Sequence, residues 1–132
     1  MNDSQQQRER MVERQIAARG VHDHYTLDAM RRIPREEFVA GTLREFAYED
    51  SPLPIEAGQT ISQPYIVALM IAEAQIRPGD RVLEIGAGSG YAAAVMAAIA
   101  RAVHAIERVP ELAESARARW AKLGYDNIEL RV

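Results

Sequence analysis

Three alternating glycines after a short apolar strand are the residues of this chain best suited to hold a cofactor. The segment 82–90 reads V-L-E-I-G-A-G-S-G, so the carboxylate of Glu84 precedes the glycines. Glycine has no Cβ and accepts positive φ angles, which lets a bulky ligand lie against the backbone of a tight turn. The dinucleotide fingerprint G-x-G-x-x-G would need its last glycine where this chain has Tyr91. The spacing therefore indicates a nucleotide-type cofactor and disfavours NAD.

A second acidic residue, Glu107, ends the next predicted strand, about twenty residues beyond the glycine loop. A carboxylate there can accept hydrogen bonds from both ribose hydroxyls of a nucleoside cofactor. The alternative is a solvated strand-end charge or a local pair with Arg108. Glu84 has two possible roles, which are to bind the backbone amides of its own loop or to accept from an ammonium group of the cofactor. Either role compensates a charge that would be costly to bury alone.

Two hydroxyls and a side-chain amide precede a predicted helix in the segment 58–64, which reads G-Q-T-I-S-Q-P. Unpaired N–H groups and the macrodipole make a helix N-terminus favourable for anions, so a substrate carboxylate can dock there. Thr60 and Ser62 supply the two hydroxyls. The alternative is that Ser62 only caps the helix, because capping residues before a proline are a common helix start.

Helices are predicted to dominate the first half of the chain. Apolar spacing indicates one helix over about 4–18 and a second that ends at Pro34. The segment 47–63 holds too many prolines and glycines for a regular element, so we expect a long ordered loop there. Pro64 suits the first position of a third helix.

The second half alternates between strand and helix patterns. The predicted order is strand 81–85, helix 91–100, strand 102–107, helix 110–123 and strand 128–132. Such alternation implies a parallel sheet whose ligand crevice lies at the carboxyl ends of the strands. The fold class is therefore α/β, and residues 1–132 form a single, partial domain. Its N-terminal helices and substrate loop occupy 1–76, and the cofactor-binding sheet occupies 77–132.

The chain stops in its third predicted strand, which would leave an apolar sheet edge unpaired. We therefore expect the chain to be truncated, and to self-associate or to be less stable than an extended form. A polar N-terminus and the absence of any long apolar run predict a cytoplasmic protein without a membrane partner. The formal net charge of -3 provides no excess of basic residues that would attract nucleic-acid phosphates. The three histidines lack metal-ligand spacing and there is no cysteine, so no metal is expected.

Several sequence blocks together resemble the protein-L-isoaspartate O-methyltransferases, which methylate isoaspartyl carboxyl groups. In chain order the blocks are M-V-E-R-Q-I (11–16), M-R-R-I-P (30–34), F-V (38–39), A-Y-E-D (47–50), G-Q-T-I-S-Q-P (58–64) and V-L-E-I-G-A-G-S-G-Y (82–91). The E-x-G-x-G-x-G spacing alone resembles the first motif of S-adenosylmethionine-dependent methyltransferases in general. The T-I-S block is the specific part, because general methyltransferases share only the glycine loop.

The resemblance implies a Rossmann-like S-adenosylmethionine-dependent methyltransferase fold, incomplete at the C-terminus. It implies methyl transfer from S-adenosyl-L-methionine to isoaspartyl residues of damaged proteins and peptides, by an enzyme that is monomeric when complete. Ser62 is then the catalytic residue, and Thr60 and Ser62 bind the substrate. From the motifs and the resemblance together we expect ten cofactor-binding residues, which are Gln59, Thr60, Ile61, Ser62, Glu84, Gly86, Gly88, Ser89, Gly90 and Glu107.

Two other functions stay open beside this one. A methyltransferase of another substrate class would share the glycine loop and Glu107. A truncated, catalytically inactive cofactor-binding module would act through protein contacts. Family members continue with an acidic, glycine-containing turn for the adenine and with further strands, and this chain lacks them, which favours the inactive module.

Overall fold

A computed structural model describes residues 2–132 and places helices in the first half of the chain and a parallel sheet in the second. The helices are α1 (Asp3–Met11), α2 (His24–Arg32), α3 (Pro64–Glu73), α4 (Tyr91–Ala97) and α5 (Pro110–Leu123). The strands are β1 (Leu53–Pro54), β2 (Thr60–Ile61), β3 (Arg81–Ile85), β4 (Ala102–Ile106) and β5 (Ile128–Arg131). Within the described residues, no helix combines the length and the apolar character needed to cross a membrane.

The N-terminal helix begins with a capping box. The Asn2 side chain accepts from the Gln5 backbone N–H at 2.8 Å, and the Gln5 side chain accepts from the Asn2 N–H at 3.1 Å. Beyond α1 the chain continues through a π-helical turn, Val12–Ile16, and a 3-10 turn, until Gly20 ends it with a φ of 101°. The predicted helix is thus confirmed in position, although its last part is irregular.

The segment expected to be a loop contains a short ladder, which corrects the prediction. Leu53 pairs with Ile61 and Pro54 with Thr60 in an antiparallel arrangement. Each strand has only two residues, so no alternating pattern is long enough to show in the sequence. The ladder fixes the stretch before α3, and Pro64 stands in the first turn of that helix as predicted.

The sheet runs β3-β4-β5 and is parallel, which confirms the predicted α/β order. Consecutive strands are neighbours, so right-handed connections place α4 and α5 on the same face. The helix α4 ends at Ala97, before the predicted Ala100, and β4 ends at Ile106, so Glu107 is the first residue after the strand.

One hydrophobic core joins the N-terminal helices to the covered face of the sheet. Its side chains with almost no exposed area include Met11, Met30, Phe38, Val95 and Val103. Burial of each large side chain contributes about 1.5–3 kcal/mol, so this core holds the two halves together.

The opposite face of the sheet is open at β3. Leu83 and Ile85 are 63% and 71% exposed, and β3 pairs with β4 on one side only within residues 2–132. The exposed apolar edge expected from the sequence is therefore present.

Candidate functional site

The glycine loop connects β3 to α4 with three positive φ angles, which are 87° at Gly86, 56° at Gly88 and 89° at Gly90. The N–H groups of Gly86 and Ala87 donate to the Ile106 carbonyl at 2.8 and 3.2 Å, so the loop is fixed to the end of β4. A Cβ on Gly86 would meet nothing within 4 Å, and one on Gly88 would meet only Ile55, at 3.9 Å. These two glycines keep an open space above the loop.

The third glycine of the loop has a packing role that the sequence did not reveal. The carbonyl of Gly90 accepts from Trp120 Nε1 at 2.9 Å, and a Cβ on Gly90 would lie 2.9 Å from the same nitrogen. Gly90 therefore faces α5, away from the open space.

Glu107 holds the glycine loop with its carboxylate. Its Oε1 accepts from the Gly88 N–H and its Oε2 from the Val109 N–H, both at 2.9 Å. Backbone N–H bonds to a carboxylate are charge-assisted and therefore strong. Binding of the loop amides was one of the two roles considered for Glu84. In the structure it is Glu107 that binds the Gly88 amide.

Glu84 points to the covered face of the sheet and is largely buried. Its Oε1 is buried without a hydrogen-bond partner within residues 2–132. Burial, and secondarily the charge of Glu107, raises the pKa of Glu84 to about 8. The side chain is therefore mostly protonated at neutral pH, and a cation placed beside it would favour its ionised form.

The segment 58–64, called the substrate-side segment here, alternates between exposed and buried side chains at residues 60–62. Thr60 and Ser62 are exposed, while Ile61 is buried and pairs with Leu53. Gln63, and not Ser62, is the N-cap residue of α3, and no side chain among residues 2–132 caps this helix. The capping role considered for Ser62 is therefore wrong, and within the described chain its hydroxyl has no intramolecular partner.

One cavity of about 660 Å³ runs from the substrate-side segment and the glycine loop along α3 and the edge of β3 that is unpaired within residues 2–132. Of the residues expected at the site it is lined by Thr60, Ile61, Ser62, Glu84, Gly86, Gly88 and Ser89. Gln59, Gly90 and Glu107 do not line it, and Glu107 reaches the site through its bond to Gly88. A gap of this size with glycines on one wall and hydroxyls on the other can hold a cofactor against a second, anionic ligand.

Arg35 is a buried residue under the site that the sequence analysis missed. Its Nη2 donates to the Ser62 carbonyl at 2.8 Å and its Nε to the Ala47 carbonyl at 2.7 Å. The guanidinium lies 4.9 Å from the ring centroid of Tyr91, and burial lowers its pKa. The one signal near Arg35 in the sequence is the block M-R-R-I-P (30–34), which ends at the residue before it.

Asp50 fixes the other end of the substrate-side segment. It forms an ion pair with Arg19 and accepts from Gln63 Nε2. The hydrogen bond from Arg19 lowers the pKa of Asp50, which stays ionised at neutral pH. The backbone at Ser62 is therefore held by Arg35, and the next residue, Gln63, is held by Asp50.

Comparisons with known proteins show which family the chain resembles. The family model described as Protein-L-isoaspartate(D-aspartate) O-methyltransferase matches residues 6–132. Protein-L-isoaspartate O-methyltransferase 1 of Rhodopseudomonas palustris (strain HaA2) is 61% identical over 95% of this chain and 51% of its own length. The corresponding protein of Methylorubrum extorquens (strain PA1) is 59% identical over 98% of this chain and 57% of its own length. The chain spans about half the length of these relatives.

Solved structures with the same architecture include a protein-L-isoaspartate O-methyltransferase of 33% identity and TM-score 0.84, matched over 94% of this chain and 41% of that one. A putative protein-L-isoaspartate O-methyltransferase from Plasmodium falciparum, in complex with S-adenosyl-L-homocysteine, has 26% identity and TM-score 0.78. That match covers 94% of this chain and 62% of the other.

Proposed function

Because this chain belongs to the protein-L-isoaspartate(D-aspartate) O-methyltransferase family, we propose that its cavity brings S-adenosyl-L-methionine together with an isoaspartyl carboxylate for methyl transfer. The observation that carries the proposal is that Thr60, Ile61 and Ser62 line the same cavity as Gly86, Gly88 and Ser89 of the glycine loop. In this assignment residues 77–132 bind the cofactor and residues 1–76 supply the substrate side.

The residues at the glycine loop fit S-adenosylmethionine. The absent Cβ atoms of Gly86 and Gly88 leave room for a ligand against the backbone, and the unpartnered Oε1 of Glu84 suits the ammonium group of its amino-acid tail. Each oxygen of Glu107 already accepts one backbone N–H and keeps a lone pair, so the carboxylate has capacity for ribose hydroxyls. When bound, the cofactor supplies an electrophilic methyl group on a sulfonium.

The substrate side of the cavity fits a carboxylate. The Ser62 hydroxyl is exposed, has no partner among residues 2–132 and stands beside the N-terminus of the ten-residue helix α3. The hydroxyl can donate to one carboxylate oxygen, and the helix macrodipole favours the negative charge. Thr60 offers a second donor on the same wall. Ser62 and Thr60 thereby orient the carboxylate toward the glycine loop.

Positioning is the main contribution of the protein to such a reaction. An isoaspartyl carboxyl group is ionised at pH 7 and needs little help from a general base. Holding two reactants in line can supply several kcal/mol of the barrier, provided that both are fixed. Arg35 and Asp50 fix the substrate side through Ser62 and Gln63, and Glu107 fixes the glycine loop.

The test is methyl transfer by the full-length protein from labelled S-adenosylmethionine to a peptide that contains isoaspartate. The control peptide has the same sequence with ordinary aspartate. We expect transfer to the first peptide only, and transfer at least about tenfold slower in Ser62→Ala, which loses a hydrogen bond to the carboxylate, with cofactor affinity largely unchanged. Equal methylation of both peptides would favour a different substrate class. Binding of S-adenosylhomocysteine without any transfer would favour an inactive binding module, and tighter binding of NAD would exclude both.

We also propose isoaspartyl-containing proteins and peptides as the partners, a cytoplasmic location and a monomeric full-length enzyme. The formal net charge of -3 agrees with a substrate that is not nucleic acid. Sedimentation of the full-length protein measures the oligomeric state directly. A stable dimer would contradict the monomer.

A further inference from the structure

One arginine of α5 links the glycine loop to Glu56, which lies in the chain shortly before Thr60 and Ser62. Arg119 Nη1 donates to the Ser89 carbonyl of the glycine loop at 3.1 Å. Its Nη2 donates to Oε1 of Glu56, which lies two residues before the segment 58–64, at 3.3 Å. The side chains of Arg119 and Glu56 are 16% and 33% exposed, so the ion pair is partly shielded from water.

Two further contacts hold Ile55 and Glu56, one with α5 and one with the glycine loop. The Ser115 hydroxyl, one helical turn before Arg119, donates to the same Glu56 Oε1 at 3.3 Å. The neighbouring residue Ile55 provides the nearest atom to a Cβ on Gly88. The stretch just before the substrate-side segment is therefore tied to α5 and rests against the glycine loop at one place.

The link has a stability cost. Oε2 of Glu56 is buried without a hydrogen-bond partner within residues 2–132. A buried carboxylate oxygen left unpaired destabilises a fold. Buried polar atoms without a hydrogen-bond partner are concentrated at functional sites, where stability is not the only requirement.

We propose that Arg119 is a positioning residue that couples the two walls of the cavity, so that cofactor bound at the glycine loop strengthens binding of the isoaspartyl substrate at the segment 59–62. This inference rests on the proposed function. Arg119 itself touches neither ligand and acts through Ser89 and Glu56.

The geometry explains how the coupling arises. The guanidinium is a rigid planar fork, so its two donors keep a fixed spacing between the Ser89 carbonyl and the Glu56 carboxylate. Cofactor that contacts the glycine loop further restrains the Ser89 carbonyl and thereby holds Arg119 in place. Glu56, and with it the segment that leads to Ser62, is then held in its binding geometry before the substrate arrives.

The experiment measures the dissociation constant of an isoaspartyl peptide for the full-length protein, with and without saturating S-adenosylhomocysteine. The ratio of the two constants is the coupling factor, and a merely structural role would leave it unchanged in molecules that remain folded. We expect a factor of at least about five in the unmodified protein, which is the lower end for allosteric coupling. In Arg119→Ala and in Glu56→Ala it should fall to about one, and the double variant should lose nothing further.

Arg117→Ala is the matched control, because Arg117 lies on the same helix and donates to the Leu130 carbonyl of β5 at 2.7 Å, away from both walls. Its coupling factor should equal that of the unmodified protein. The inference is overturned if the unmodified protein shows no coupling, if Arg119→Ala and Glu56→Ala keep it, or if Arg117→Ala also loses it. Failure of the unmodified protein to bind either ligand would instead refute the proposed function, and this inference with it.

Discussion

The indole of Trp120 and the backbone of Gly90 are in direct contact, since Nε1 donates to the Gly90 carbonyl at 2.9 Å and leaves no space for a Cβ. A residue thirty positions away along the chain therefore requires one glycine of the cofactor loop. The glycines of the loop consequently serve two purposes, because Gly86 and Gly88 face the cavity while Gly90 faces the core.

Gly90→Ala should destabilise the protein more than Gly86→Ala. Both substitutions place a Cβ at a positive φ, which costs about 1–2 kcal/mol. Only Gly90→Ala also adds a clash with Trp120, worth about 1–3 kcal/mol as overpacking. Urea denaturation of the two variants measures the difference in the free energy of unfolding. Equal losses would mean that the backbone around Gly90 relaxes without cost.

The stability of the protein should fall as the pH rises from about 4.5 to about 8, through the contribution of Glu84. Its pKa is raised in the folded state to about 8 from an ordinary value of 4.5, so between these values the folded state binds the extra proton. Stability then decreases by at most about 1.4 kcal/mol per pH unit from this group. Unfolding free energies at several pH values, in the unmodified protein and in Glu84→Gln, isolate the effect.

The control for this variant is Glu114→Gln, which changes an exposed carboxylate of α5. It should preserve the pH dependence of the unmodified protein, whereas Glu84→Gln should flatten it. An unchanged slope in Glu84→Gln would show that another group is responsible.

Cofactor binding should release a proton from Glu84 below pH 8. The ammonium group proposed to lie beside this carboxylate favours its ionised form, so affinity for S-adenosylhomocysteine should rise from pH 6 to pH 8, by up to about tenfold per unit. Calorimetry in two buffers of different ionisation enthalpy counts the protons released. Binding that is independent of pH and releases no proton would place the ammonium group elsewhere.

Glu107→Gln should weaken both the fold and the binding of the cofactor. An amide has one acceptor oxygen, so one of the N–H groups of Gly88 and Val109 loses its partner, at about 1–3 kcal/mol. The loss of ribose hydrogen bonds would add a similar decrease in binding energy. Denaturation and calorimetry on the same variant separate the two. A destabilised variant with normal affinity would restrict Glu107 to its structural role.

Ser62→Ala should leave the stability of the protein almost unchanged, because Ser62 does not cap α3. The matched variant is Asp23→Ala, since the Asp23 side chain does cap α2 by accepting from the Thr26 N–H at 3.2 Å. That variant should lose about 1 kcal/mol. Thermal denaturation of both compares them directly, and a similar loss in Ser62→Ala would restore the capping interpretation.

Local patterns in the sequence were sufficient for the regular elements that carry the site. The strand 81–85 and the helix 110–123 have the bounds that periodicity and Pro110 predicted, because each is specified by neighbouring residues. The glycine spacing and the T-I-S block likewise marked the two walls of the cavity, since both are contiguous in the chain. The β1–β2 ladder was missed, since two residues per strand give no period.

The tertiary structure decided which side chain does what at those positions. The Gly88 N–H donates to Glu107, while Oε1 of Glu84 has no partner among residues 2–132. Glu107 reaches the loop because the register of β3 and β4 brings the ends of both strands together. The tertiary structure also set Arg35 beneath Ser62 and Trp120 against Gly90. These contacts join residues far apart in the chain, and their distances depend on how the helices pack on the sheet. No local pattern records them, because packing and not sequence spacing determines which distant groups meet.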